Sequence, residues 1–256
     1  MDALNPPRLA PPFATPHSVG LAHTRLAYGI VGQGAPPIVA LHGYMASGAD
    51  FGPTFATLSA RRACLALDLP GHGASRPLDD PGLHGLAAFA RLVVEALPLL
   101  HDGPVVLLGH SLGGMIALRA ALAAPERVAG LVLVATSARP IRPSPALVDS
   151  TPDALRDRAL ANAARTDVAV ARVLRDALAA EPSVVGALGT IRAPTLCVVG
   201  RADPQFVAHT GEIAMYVPHA DLEVMPGVAH QPHLEAPEAF AARVARFLDA
   251  RVPGRA

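Results

Sequence analysis

The chain has 256 residues, 51% of them hydrophobic and 16% charged, with 21 Lys and Arg balanced by 21 Asp and Glu. That length is enough for one large domain with a sizeable core. The even charge, without a basic run interleaved with aromatics, excludes nucleic acid and anionic membrane surfaces as expected partners.

Cys64 and Cys197 each sit inside an apolar, strand-like run. They read as buried free thiols rather than as a disulfide framework. No Cys/His cluster has zinc spacing, and no apolar run is long enough to span a bilayer. The proline-rich residues 1–17 read as a loose lead without the basic-then-apolar build of a signal peptide. A cytoplasmic setting is therefore expected.

Residues 19–30 read as two short antiparallel strands turning at His23-Thr24, and 37–41 as a buried strand ending at His42-Gly43-Tyr44. A helix is expected over about 47–60, loosened at Gly52-Pro53. A strand at 63–67 and a loop from Asp68 to Ser75 follow. Leu86, Phe89, Ala90, Val93, Leu97 and Leu100 then recur at helical spacing.

The strongest local signal comes next. Residues 105–108 are a continuous apolar strand, and 115–122 are apolar nearly all round, as a buried helix should be. Between them lies Gly109-His110-Ser111-Leu112-Gly113, a Gly-x-Ser-x-Gly turn. Such a turn strains the serine backbone and lifts its hydroxyl clear of the sheet. The motif alone arises easily by chance; the strand before it and the helix after it give it weight.

A further core strand is expected at 131–134, after which about fifty residues interrupt the alternation. Val170, Val173, Leu174, Ala177 and Leu178 form one apolar stripe, and Leu155, Ala159 and Ala163 a weaker one. Residues 138–189 are expected to form a helical cap over the strand ends, with a helical hairpin beside the sheet as the alternative. The alternation resumes with a strand at 194–199, a helix at about 207–217 and a strand at 221–225. The closing helix buries Phe240, Val244, Phe247 and Leu248. This rhythm implies a mostly parallel α/β core made of residues 18–137 and 190–252.

In open parallel sheets the reactive site lies at the carboxyl ends of the strands. His42-Gly43, Ser111, Asp203 and His230 all fall there, in the chain order Ser…Asp…His. A serine hydroxyl needs a base, for which His230 is the candidate. Asp203 can hold the other ring nitrogen of that imidazole.

On these residues the chain resembles the α/β-hydrolase superfamily. The likeness is to its small capped branch of carboxylesterases, enol-lactonases and pimeloyl methyl-ester esterases. It covers about residues 26–248 and is weakest in the cap. Its motifs are His42-Gly43-Tyr44, the loop from Asp68 to Ser75, the turn from Gly109 to Gly114, Gly200-Arg201-Ala202-Asp203, and Gly227-Val228-Ala229-His230 followed by Glu235, Pro237 and Phe240.

The resemblance implies an α/β-hydrolase fold with Ser111 as nucleophile, His230 as base and Asp203 as acid. It also implies an oxyanion hole from the Tyr44 and Leu112 amides. No metal or organic cofactor is called for, and the expected partner is a small-molecule ester. One departure is that Pro204 follows Asp203 directly, where the family usually places a proline four or five residues later; the loop is expected to run differently.

Asp68 is expected to buttress its own loop, and Thr136 and Ser137 cannot serve as the acid. His233 is a rival base, set aside because the spacing from Gly227 favours His230. His42, His72 and His110 are read as loop-shaping residues, and His209 and His219 as surface ones. Tyr44, Met45 and Phe206 are candidates to line the substrate pocket; Phe51 and Met115 are read as packing.

Residues 140–190 lack Phe, Tyr and Trp, which favours a small or medium apolar acyl or alcohol group. Arg139 and Arg142, at the cap entrance, read as solvated rather than as carboxylate receivers. The expected reaction is ester hydrolysis through an acyl-enzyme. Thioester, carrier-protein methyl ester, lactone and C–C bond cleavage would use the same triad. A ligand-binding receptor or scaffold on the same fold is the non-enzyme alternative.

Overall fold

The computed structural model describes residues 17–80, 83–142, 152–252 and 254. The lead at 1–16 lies outside them, and His17 already belongs to the first strand. Strands β1 (His17–Leu21) and β2 (Thr24–Val31) pair at one edge of the sheet; β1 buries no residue, and β2 buries Leu26, Ala27 and Gly29. β3 (Ile38–Leu41) leads through a 3-10 turn, Gly48–Phe51, into helix α1 (Gly52–Leu58). The single helix expected over 47–60 is therefore two pieces. Pro53 has no N–H and its ring would collide with a preceding turn, so it sits in the first turn of a new helix.

β4 (Cys64–Leu67), α2 (Leu86–Leu100), β5 (Val105–His110), α3 (Leu112–Ala123) and β6 (Val128–Val134) follow. Two helices, α4 (Asp153–Ala163) and α5 (Val168–Ala180), come between β6 and β7 (Thr195–Gly200). Then come α6 (Pro204–Tyr216), β8 (Ala220–Met225), the short α7 (Pro232–Glu235) and α8 (Pro237–Arg251).

The eight strands form one sheet in the order β1-β2-β4-β3-β5-β6-β7-β8. Only the pairs β1–β2 and β2–β4 are antiparallel. Successive side chains of a strand leave opposite faces, which divides the core in two. Val39, Leu41, Val105, Leu107, Leu131 and Leu133 pack with α2, α3, α5 and α6. Ile38, Ala40, Val106, Leu108, Val132 and Val134 pack with α1 and α8. Cys64 and Cys197 are buried free thiols, and burial pushes each up to about 12. Among the described residues no helix is long and apolar enough to cross a membrane.

The inserted helices attach differently. α5 buries Val170, Ala171, Leu174 and Leu178 against the core, with Val173 and Ala177 half-buried. α4 buries none of its residues. Its expected stripe is half-buried at Leu155 and Ala163 and exposed at Ala159. Residues 143–151 lie outside the described residues.

The first turn of α3 lies against the end of β3. A Cβ on Gly113 would run into the backbone carbonyl of Leu41, and one on Gly109 would meet the Gly113 backbone at 2.5 Å. Backbone cannot swing aside as a side chain can. Gly113→Ala is therefore expected to destabilise the fold by about 2–3 kcal/mol. Urea titration measures this, and an unchanged midpoint would show that the two elements can part at no cost.

Candidate active site

Ser111 ends β5 and begins α3. Its backbone lies at φ +50° and ψ −113°, where a non-glycine residue is strained. The surroundings hold it there. Its N–H donates to the Val134 carbonyl at 2.9 Å, and its carbonyl accepts from the Thr136 hydroxyl at 2.7 Å and the Gly114 amide at 3.0 Å. Side chains at Gly43 or Gly114 would strike His110 or Thr136. Leu112 is the first residue of α3, so its amide has no carbonyl one helical turn back to bond.

Asp203, 4% exposed, lies at the carboxyl end of β7 and caps α6. Its Oδ1 accepts from the Phe206 amide at 3.3 Å, and its Oδ2 lies 2.6 Å from His230 Nδ1. Pro204 is thus the first residue of α6, where its missing N–H costs nothing. This explains the departure noted above: the helix starts at once, three residues earlier than expected.

His230 follows β8, and both sides of its loop are clamped by one carboxylate. Glu235 Oε2 accepts from the Ala229 amide and Oε1 from the Gln231 amide, each at 2.7 Å. The carbonyl of His230 accepts from His110 Nε2 at 2.9 Å, and its ring leans on Phe206 at 4.6 Å.

Ser111 and His230 face one cavity of about 950 Å³. Ser111 Oγ makes no hydrogen bond among the described residues. Asp203 and His230 are thus joined by a hydrogen bond, and Ser111 Oγ is not bonded to His230. Tyr44, Met45 and Phe206 line the cavity, whereas Phe51 and Met115 are fully buried packing residues. The Tyr44 hydroxyl donates to the Ala171 carbonyl of α5 at 2.9 Å, tying its loop to the insertion.

Three cavity residues that the sequence did not single out, Asp50, Arg158 and Asn162, belong to a polar tether that Ser47 completes. Asp50 accepts from Arg158 Nη1 at 3.0 Å and from Asn162 Nδ2 at 2.9 and 3.1 Å. Ser47 donates to Asn162 Oδ1 at 2.9 Å. This tether fastens α4 where apolar packing does not. Its parts lie far apart in the chain, so no local pattern announced it.

The remaining polar residues have structural partners. Asp68 accepts from the Gly48 and Ala74 amides at 2.8 Å, bracing its loop. His42 accepts from the Leu69 amide at 2.9 Å and donates to the Gly43 carbonyl at 2.8 Å. His72 donates to the Pro70 carbonyl at 3.1 Å but leaves Nε2 unpaired. His219 is exposed; His209 is half-buried with its ring edge-on to Phe206, a correction to the surface reading. Arg139 is exposed and pairs with Glu212 at 2.7 Å, and Arg142 lines the cavity.

Residues 36–183 match the family model of the alpha/beta hydrolase fold. A pimeloyl-(acyl-carrier protein) methyl ester esterase of Vibrio parahaemolyticus is 30% identical over 266 residues, covering 88% of this chain and 98% of that protein. Polyketide synthase ThaQ of Burkholderia thailandensis is 31% identical over 255 residues. A pimeloyl-(acyl-carrier protein) methyl ester esterase of Nitrosomonas europaea is 41% identical over 102 residues. These two matches cover 85% and 40% of this chain but only 12% and 38% of those proteins.

Among solved structures, a thermophilic esterase from Thermogutta terrifontis superposes with a TM-score of 0.80 at 22% identity, over 93% of this chain and 99% of that one. Est816, described as an N-acyl homoserine lactone degrading enzyme, gives 0.75 at 25% identity, over 90% of this chain and 100% of that one.

The buried histidines set an acid limit on the fold. Burial lowers His42 from 6.5 to about 4 and His72 and His233 to about 3, and lowers His110 well below 6.5. On acidification the unfolded chain therefore takes up protons before the folded one. Stability is full above about pH 6.5 and falls as pH drops toward 4 and then 3. Each such group withdraws up to about 1.4 kcal/mol per pH unit in that window. The urea midpoint at about pH 5 is expected to lie clearly below that at about pH 7.5. A midpoint at about pH 5 equal to or above that at about pH 7.5 would contradict neutral burial.

Proposed function

The chain belongs to the α/β-hydrolase family, and on that footing we propose that it is a serine hydrolase that cleaves carboxylic esters through an acyl-enzyme. One observation carries the reading: the 2.6 Å Asp203–His230 contact opens onto the same cavity as Ser111, held at φ +50°. His230 takes the Ser111 proton as Oγ attacks the ester carbonyl. The Leu112 and Tyr44 amides receive the oxyanion, and Asp203 holds the imidazole and balances its charge. His230 then returns the proton to the leaving alcohol. Water, deprotonated by His230 in turn, releases the acid and restores Ser111.

In this reading the inserted helices α4 and α5 act as a cap. Leu155, Ala159, Ala163 and Leu178 supply much of an aliphatic roof, which suits small to medium apolar acyl or alcohol groups. A methyl ester on a carrier-bound acyl chain is the second reading, supported by the relative from Vibrio parahaemolyticus that this chain matches over 98% of its length.

Ser111→Ala is expected to lower kcat on a p-nitrophenyl ester by about 10⁶-fold. It should also abolish labelling by a fluorophosphonate. Near-normal turnover by that variant would end the proposal. Glu235→Gln leaves one amide of the His230 loop facing an N–H instead of an oxygen. It is expected to lower kcat by about 10- to 100-fold with little change in KM, through misplacement of the imidazole. Unchanged kcat would show that the clamp has no part in positioning His230.

A further inference from the structure

One corner of the cavity is polar, and acyl transfer by Ser111 and His230 leaves it unused. Asp50, Arg158, Asn162 and His233 line it, in a cavity whose other walls include Ile141, Leu178 and Phe206. The Asp50–Arg158 pair is internally charge-balanced at 3.0 Å, with Asn162 closing the remaining carboxylate positions.

His233 adjoins this pair. Its ring stacks on Phe51 at 4.9 Å and lies 4.5 Å from the ring of His110, the neighbour of Ser111. It is 2% exposed, and burial, reinforced by His230 and Arg158, keeps it neutral down to about pH 3. Nδ1 has no partner, and neither ring nitrogen makes a hydrogen bond among the described residues. A buried imidazole with no partner, on the wall of a cavity, calls for a polar group in the occupant.

We propose that this corner is a subsite for a neutral hydroxyl group, so that the substrates are hydroxy-esters; the inference rests on the ester hydrolysis proposed above. A hydroxyl both donates and accepts, and its hydrogen rotates to suit, so it meets the imidazole in either tautomer. It also accepts from the guanidinium of Arg158, whose Nη1 is already engaged by Asp50 and the Ala49 carbonyl. A carboxylate would bring a charge that nothing balances, since Asp50 neutralises Arg158 and His233 is uncharged. An ammonium would find the Asp50 oxygens taken. A purely alkyl group would leave the imidazole unmet, the condition under which a polar site rejects an analogue.

The test compares ethyl β-hydroxybutyrate with ethyl butyrate, and hydroxyethyl butyrate with propyl butyrate, with monoethyl succinate as the charged control. In at least one pair the hydroxylated ester is expected to have a kcat/KM at least about tenfold higher. His233→Phe should bring that ratio to about one. The phenyl ring keeps the stack on Phe51, and the ratio cancels any general loss of activity.

The same esters are titrated calorimetrically into Ser111→Ala protein. There the preferred hydroxy-ester should bind at least about fivefold more tightly, and the double variant S111A/H233F should lose that margin. Equal values in both pairs, preference for the succinate, or a hydroxyl preference that survives H233F would overturn the subsite. Hydrolysis without a preference through His233 refutes the subsite and leaves the proposed function standing. Selective binding through His233 without hydrolysis does the reverse.

Discussion

The contact between the first turn of α3 and the end of β3 is the constraint on which the rest depends. Two backbones meet there with no side chain between them, at Gly113 against the Leu41 carbonyl. That approach draws the start of the helix down onto the sheet and forces the chain through a sharp reversal at Ser111. The strain at φ +50° survives because bonds with Val134, Thr136 and Gly114 fix both peptide units that flank Ser111. Val134 belongs to the sheet, Gly114 to α3, and Thr136 is fully buried just beyond β6. The serine is therefore held by the fold rather than by its loop.

The parallel sheet brings the other groups to the same rim. β5, β6, β7 and β8 run side by side in one direction, so whatever follows their carboxyl ends shares one edge. Asp203 follows β7 and His230 follows β8, which makes them neighbours although 27 positions separate them. Each is then fixed twice. Asp203 is held by the helix it caps and by the imidazole; His230 is held by Asp203 and by the Glu235 clamp on its flanking amides. A side chain with two anchors loses little further freedom on binding substrate, which is what a preorganised site requires.

How much of this was legible follows from the range of the forces involved. A run such as 105–108 declares itself because a strand covered on both faces is apolar along its length. The turn at Ser111 declares itself because only glycine fits where backbones touch. The start of α6 was missed by three residues although Asp203-Pro204 carries the signal, a capping carboxylate followed by proline at the first helical position. Reading Asp203 purely as a reactive group hid its second role. The break at Gly52-Pro53 was seen as a loosening, yet proline's missing N–H makes it a new start.

The insertion shows where such reading must fail. An apolar stripe predicts burial only when a helix is attached through that stripe. α5 obeys, with Val170, Leu174 and Leu178 in the core. α4 does not: its hold is Arg158 and Asn162 on Asp50 and Ser47, so its polar side faces the protein and Leu160 is left 69% exposed. Periodicity inverts there, because the polar residues of α4 are the ones that hold it to the protein. The segment hardest to read is thus the one attached through polar groups distant in the chain, and the unpaired imidazole of His233 lines the cavity beside it.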